Sequence, residues 1–354
     1  MIRRIQLSLN ESNTGKLDKL SRVMLEALRV LNAYIDVLWA TKETNKFAVI
    51  ELETWLSARM QQCLSKQAGE TVRSQRAKRN KTKPVIRKET LNLDERFLSF
   101  TEDTNSFDFW VKLSSLGERI ILHLPCRRHK HLISFREAGW ALRRGGRLRH
   151  NDRGWFLDVY MEKEAAPLRT EGLELGLDSG YKKLLAGSDG SVHDAGMQAI
   201  YEKITRKRQG SKAFNRALTE RDHKINQTVN RMDLSGVRVI VVEDLKSVKT
   251  GSHGRFRKEF NNKLSRWRYS QCLAKLQSVC EVSGIAFKKV DPAYTSQTCS
   301  LCGFVDKASR NGEAFCCTKC GMTMDADINA AKNILMRGVY NPPPVKESYN
   351  DLPF

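Results

Sequence analysis

Four cysteines near the C-terminal end, Cys299, Cys302, Cys317 and Cys320, are spaced C-x2-C, fourteen residues, C-x2-C. Each pair sets two thiolates on one tight turn, and two such turns supply the tetrahedral sulfur set that zinc prefers. Gly303 and Gly321 follow the second cysteine of each pair, where a chain wrapping a metal needs a residue without a β-carbon. One structural Zn2+ in a small ribbon is the expectation. Cys316 does not give the two-residue spacing to Cys320 and is left out. Five of the nine cysteines fall within 22 residues, which favours metal binding over a disulfide framework. The scattered Cys63, Cys126, Cys272 and Cys280 read as small apolar core residues.

Three acids stand where carboxylates are costly unless used. Asp178 ends an alternating strand (Leu173, Leu175, Leu177) just before the turn residue Gly180. Glu243 follows VRVIVV, a β-branched run of the kind buried on both faces, so its charge needs cations or donors nearby. Its neighbour Asp244 is an alternative. In MDADINAAKNIL, Asp325 is placed to cap a helix and Asp327 lies in the first turn, of which Asp327 is the better ligand. Ile328, Ala331, Ile334 and Leu335 form the expected buried stripe, and small Ala330 and Ala331 allow close approach to a sheet. Three acids on two strand ends and a helix can hold two Mg2+ ions about 4 Å apart, a chemistry suited to phosphodiester hydrolysis.

The elements that must carry these residues change texture along the chain. MIRRIQLSLN reads as a half-buried strand. Leu17, Leu20, Met24, Leu28, Leu31, Ile35 and Leu38 then recur at helical spacing, and a second helix is expected over 47–66. A basic run from Glu70 to Lys88 includes Arg73, Arg76, Lys78 and Arg79 and reads either as a solvated linker or as an arm that orders on nucleic acid. FDFWVKL, RIILHLP and WFLDVYM suggest short strands of a small antiparallel barrel. It bears Arg127, Arg128, Arg143, Arg144 and Arg147 together with Trp110, Trp140 and Trp155, which can track a backbone and stack on bases, although each tryptophan alone suits a core. From about 171 to 338 strands and helices alternate as in an α/β domain. Within it, His223 reads as solvated or as a phosphate contact, and the basic loop KTGSHGRFRK, with Arg255 and Arg257, follows Glu243. VYNPPPVKESYNDLPF reads as an extended or disordered tail.

The 354 residues carry 61 Lys and Arg against 40 Asp and Glu, a formal charge of +21 that points to a polyanionic partner and to salt-sensitive binding. No stretch approaches the roughly 18–20 apolar residues of a spanning helix. Met1 to Ser12 has no apolar leader core, so a soluble intracellular protein is expected.

Taken together, GLDSG at 176–180, VEDL at 242–245, and the stretch from TSQTC at 295–299 to DINAA at 327–331 resemble the transposon-encoded TnpB nucleases, which are similar to compact type V CRISPR effectors. The resemblance covers about 171–338. It implies a multidomain α+β chain in which an N-terminal wedge-like β-barrel (1–10 and 86–170) carries a helical recognition insertion (11–85). An RNase H-like RuvC nuclease domain (171–290 and 325–338) follows, with a zinc ribbon inserted at 291–324 and a tail at 339–354. It further implies catalytic Asp178, Glu243 and Asp327 holding two Mg2+, one Zn2+, a guide RNA and a target DNA as partners, no membrane, and a prokaryotic cytoplasm with nucleoid association; the oligomeric state is left open, a monomer being favoured. The loop with Arg255 and Arg257 would be a mobile cover for the site. Ala326 stands where many relatives have arginine, and Ser179 where an apolar residue is usual. A compact CRISPR effector, an RNA-guided regulator without cleavage and a guide-independent junction resolvase are the competing readings.

Overall fold

Two units, Met1–Glu164 and Ala165–Phe354, divide the chain in the computed structural model. The structure describes residues 1–41, 52–104, 107–127, 130–194, 196–245 and 258–340. Arg128, Arg255, Arg257, the loop that carries the last two, and the proline-rich tail beyond 340 lie outside the described residues.

In the first unit the expected opening strand is β1 (Ile2–Ser8). With β2 (Thr90–Leu93), β6 (Ala141–Asn151) and β7 (Gly154–Glu162) it forms an antiparallel sheet of order β1-β7-β6-β2. A second antiparallel sheet is the meander β3 (Leu98–Thr104), β4 (Phe107–Leu113) and β5 (Leu122–Cys126). Where a barrel was expected, the strand pairing thus describes two sheets. Helix α1 (Thr14–Ala40) starts where the Asn13 side chain accepts the Lys16 amide at 3.0 Å. Helix α2 spans Ala58–Arg76, capped by Ser57, and therefore runs ten residues past the expected end at 66. Its apolar stripe explains the extension, since Met60, Leu64, Ala68 and Val72 repeat every fourth residue and are all buried. The helices and both sheets share one core. Helix α3 (Lys130–Glu137) completes the unit.

The second unit begins at 165, a few residues before the expected 171, because Arg169 ties this stretch to it. The Arg169 guanidinium donates to the carbonyls of Leu234, Ser235 and Val237 at 2.7–2.8 Å. Its sheet has the order β10-β9-β8-β11-β12. Antiparallel β8 (Leu173–Asp178), β9 (Leu185–Gly187) and β10 (Val192–His193) come first. Then β11 (Val237–Glu243) and β12 (Ala286–Val290) join in parallel. This mixed sheet with its connecting helices matches the α/β content expected of the region. Helices α4 (Met197–Thr205), α5 (Lys212–Arg231), α6 (Lys258–Arg266) and α7 (Tyr269–Ser283) fill the connections. A three-stranded ribbon, β13 (Arg310–Asn311), β14 (Ala314–Cys316) and β15 (Thr323–Asp325), runs without a loop into α8 (Ala326–Tyr340).

Helix α8 lies directly on the sheet because small residues meet there. A β-carbon on Gly176 would fall 2.2 Å from the Ala331 carbonyl, and one on Gly338 would fall 2.3 Å from Val241. Ala330 and Ala331 are buried as expected. No described helix is long and apolar enough to cross a membrane.

Candidate active site

Parallel pairing of β8 with β11 brings Asp178 and Glu243 to the same end of adjacent strands, Leu177 standing opposite Val242. The pleat then sets Glu243 and Asp244 on opposite faces. Alternate residues of a strand face opposite sides. Val239 and Val241 pack with Ile334 of α8, whereas Ile240 and Val242 join the core beneath the other face. Glu243 therefore shares the α8 face with Gly176 and Asp178. Asp244 falls on the other side, and its charge bears on Tyr269.

The third acid comes from α8. Asp325 caps the helix, accepting the amides of Asp327 at 3.0 Å and Ile328 at 3.2 Å, and Asp327 sits in the first turn, 9% exposed. Two cations hold these acids. Arg310 of β13 donates to Asp327 Oδ1 at 2.9 Å, and the Lys183 ammonium lies 3.5 Å from Asp327 Oδ2 while also pairing with Asp325. Burial pushes the Asp325 carboxyl up, but Lys183 and the capped amides outweigh it and the net shift is downward.

Asp178 behaves otherwise. Burial, then repulsion from Glu243 and Asp327, raises its carboxyl to about 8, with Arg310 acting in the opposite sense. Burial also raises Glu243, against the Thr295 hydroxyl and the charges of Arg337 and Arg310. A buried edge of mutually repelling hard oxygen donors is the setting that a divalent cation relieves, so the residues present fit Mg2+. The three carboxylates do not close as tightly as the cysteines. Among the described residues, those four thiols are the one group of three or more His, Cys, Asp or Glu with ligand atoms within 4.8 Å of one another.

The cysteine set fits a tetrahedral metal. Cys299 Sγ lies 3.7 Å from Cys320 Sγ, and Cys302 Sγ lies 3.6 Å from Cys317 Sγ. Zinc–sulfur bonds of about 2.3 Å imply tetrahedral edges of about 3.8 Å. The two turns repeat one geometry. Gly303 and Gly321, at φ 74° and 73°, each donate 2.9 Å back to the carbonyl of the first cysteine of their pair. Backbone amides aimed at Cys317 pull its thiol down to about 6, as a thiolate ligand needs. Cys316 points elsewhere, exposed on β14. Cys126, Cys272 and Cys280 are buried as expected, and half-buried Cys63 donates to Asp94 at 3.3 Å.

Several known proteins are similar to parts of this chain. The family model for the Cas12f1-like TNB domain matches residues 269–334. The CRISPR-associated endodeoxyribonuclease Cas12f1 of Sulfoacidibacillus thermotolerans is 36% identical over 121 residues, 33% of this chain and 26% of that protein. The putative RNA-guided DNA endonuclease InsQ of Escherichia coli strain K12 is 27% identical over 220 residues, 52% of this chain and 54% of its own length. The TnpB-like protein aq_aa05 of Aquifex aeolicus is 31% identical over 113 residues, 31% of this chain and 36% of that protein. The matches thus span from about a quarter to about half of these relatives. A solved Cas12f1–sgRNA–target DNA complex shares the fold, with a TM-score of 0.59 at 14% identity over 91% of this chain and 83% of that one. Over these stretches the chain is similar to TnpB-like proteins and to Cas12f1.

Both departures from that family have a local explanation or cost. Ala326 is fully buried against Cys299, Phe315 and Cys317 in the ribbon core, where an arginine would not fit this packing. Ser179 is 8% exposed and its hydroxyl has no hydrogen-bond partner among the described residues.

The expected nucleic-acid contacts fare unevenly. Arg76 is already spent, donating to the carbonyls of Leu38, Trp39 and Thr41 at the end of α1. Arg73 and Arg79 are exposed, and Lys78 bonds Gln75 at 2.7 Å. The basic run beyond them is laid along α1, where Asn32 pairs with the Ile86 backbone and Asp36 with Lys83. Arg127 pairs with Glu11. Arg143, Arg144 and Arg147 line an open groove at a bulge in β6, with Arg147 bonded to Asn92. Trp140 and Trp155 are core residues at 6% and 4% exposure and cannot stack on bases. His223 is an exposed residue of α5.

Sequence reasoning missed Lys183, Arg310, Asn329 and Asn333. The two asparagines are 0% and 6% exposed, deeper than the expected stripe members Ile328 and Leu335. Their signal was available as polar residues four apart beside an apolar helix face.

Proposed function

We propose that the chain is a guide-RNA-directed DNA endonuclease of transposon origin, hydrolysing phosphodiester bonds at Asp178, Glu243 and Asp327. The convergence of these three acids on one face of the α8-covered sheet edge carries the reading. They would hold two Mg2+, whose chemistry there is to neutralise the phosphate and lower the pKa of water. The protein's own contribution is to keep the donors fixed and dry. Arg310 orients Asp327 and adds positive charge where the phosphoryl oxygens become more negative. Water oxygen bonds to phosphorus as the bond to the 3′ oxygen breaks, leaving 5′-phosphate and 3′-hydroxyl ends without a side-chain covalent intermediate. Cys299, Cys302, Cys317 and Cys320 would hold one Zn2+ that keeps the ribbon, and with it Arg310, in place.

In the first unit, the two sheets would act as the barrel-like wedge, and α1 and α2 as the recognition element. Arg73, Lys78, Arg79, Arg143, Arg144 and Arg147 would contact phosphates, while base pairing with the guide selects the sequence. A monomer in a prokaryotic cytoplasm, associated with the nucleoid, fits this role.

The test starts from RNA that copurifies with the protein. Sequencing should return one scaffold joined to a guide, and its origin in a transposon end or a repeat array separates the two branches of the family. With Mg2+ and a matched duplex the complex should cut, and Asp178→Ala should not. Target binding without cleavage in both would leave a regulator, and cleavage unchanged without RNA would leave a resolvase.

A further inference from the structure

The segment that leads from β12 into the first cysteine turn does more than connect. Thr295 is 2% exposed, and its hydroxyl donates to Glu243 Oε1. The same oxygen lies 3.0 Å from the Pro292 carbonyl, but a hydroxyl has one proton and an ionised carboxylate is the stronger acceptor. The Thr295 carbonyl accepts Asn333 Nδ2 at 2.9 Å. Asn333 also donates to the Thr298 carbonyl at 2.7 Å, as does Asn329 at 2.7 Å, and Asn329 accepts the Ser300 amide at 2.9 Å. Asn329 and Asn333 lie on successive turns of α8, the helix whose first turn holds Asp327. An unbroken set of hydrogen bonds therefore runs from the cysteine turn through α8 to the second acid.

We propose that Thr295 is a positioning residue that fixes the orientation of Glu243 and, through Asn333, couples it to the seating of the ribbon on α8. Ribbon and acids then form one rigid assembly: the ribbon reaches Asp327 through Arg310 and Glu243 through Thr295. This rests on the nuclease reading above. Valine keeps the shape of threonine but leaves Glu243 Oε1 without its donor. Serine keeps the donor.

Wild-type, Thr295→Val, Thr295→Ser and Glu243→Gln ribonucleoproteins with their copurified RNA are compared in four measurements: Mn2+ affinity by calorimetry, single-turnover cleavage at saturating target, target affinity, and zinc content. Thr295→Val should lose about 10- to 100-fold in Mn2+ affinity and in cleavage rate, as second-layer partners of metal ligands do. Its target affinity and zinc content should match wild type, and Thr295→Ser should restore both losses. If Thr295→Val does not assemble, Thr295→Ala makes the same comparison with Thr295→Ser. Wild-type Mn2+ affinity in the valine variant overturns the proposal, as does a serine variant no better than valine, or a loss of zinc and target binding in proportion to cleavage. If wild type does not cut, or Glu243→Gln cuts equally well, the nuclease reading fails, and the Mn2+ comparison still judges the positioning role.

Discussion

Asp178 shows how a single side chain reports the purpose of its surroundings. Its carboxyl, raised to about 8, keeps a proton in the folded state that the unfolded chain gives up near 4. Between those values the folded state binds more protons, so stability falls as pH rises through this window. Asp178→Asn should therefore raise the melting temperature of the metal-free protein at pH 8 and change it little at pH 4. Added Mg2+ should stabilise the wild type at pH 8 and the variant far less, as thermal melts would show. Arg310 makes a second case. Its replacement by alanine should cut the single-turnover cleavage rate about 10²-fold, the scale for losing one preorganised charge donor. Lysine at 310 should recover part of that rate. Ser179 makes a third, because its buried hydroxyl lacks a partner among the described residues. Ser179→Ala should be neutral or stabilising by about 1 kcal/mol in urea unfolding.

At the scale of elements, the contact of α8 with β8 and β11 decides whether the acids meet. Gly176→Ala would drive a methyl into the Ala331 carbonyl oxygen at 2.2 Å, a backbone atom with no flexible side chain to yield. A loss of at least about 2 kcal/mol in denaturant unfolding is expected, with cleavage falling alongside it. The ribbon passes straight from β15 into α8, so disturbing it should also disturb Asp327. One equivalent of zinc should be released by chelator together with four reactive thiols, and Cys317→Ser should lower both zinc content and cleavage. Zinc loss that leaves the cleavage rate unchanged would show the ribbon to be independent of the site.

For the whole molecule the relevant quantity is a charge of +21 over 354 residues. Phosphate contacts release counterions, so the slope of log affinity against log salt should fall by about 0.7 to 0.9 for each cation removed, depending on whether one strand or a duplex is held. Arg144→Ala should show that change in filter binding across a salt series. Arg76→Ala should instead lower stability, because its guanidinium closes α1 through three carbonyls and faces Trp39. The pair separates a cation available to phosphate from one consumed by the fold.

What could be read in the residues alone was whatever depends on local spacing. The two C-x2-C turns, the opening strand, α1, the cap and first turn of α8, and the acids at two strand ends all follow from neighbours close in sequence. Other matters needed distant segments brought together. Glu243 rather than Asp244 shares the α8 face because of the pleat, a relation set by which valines meet Ile334. Arg76 looks like any other member of a basic run until α1 ends beside it. Lys183, Arg310 and Thr295 lie in separate stretches of the chain, and only the folded sheet and ribbon deliver the two charges to Asp327 and the hydroxyl to Glu243. Electrostatics and hydrogen bonds act through space over a few ångströms, and that closeness is decided by tertiary packing.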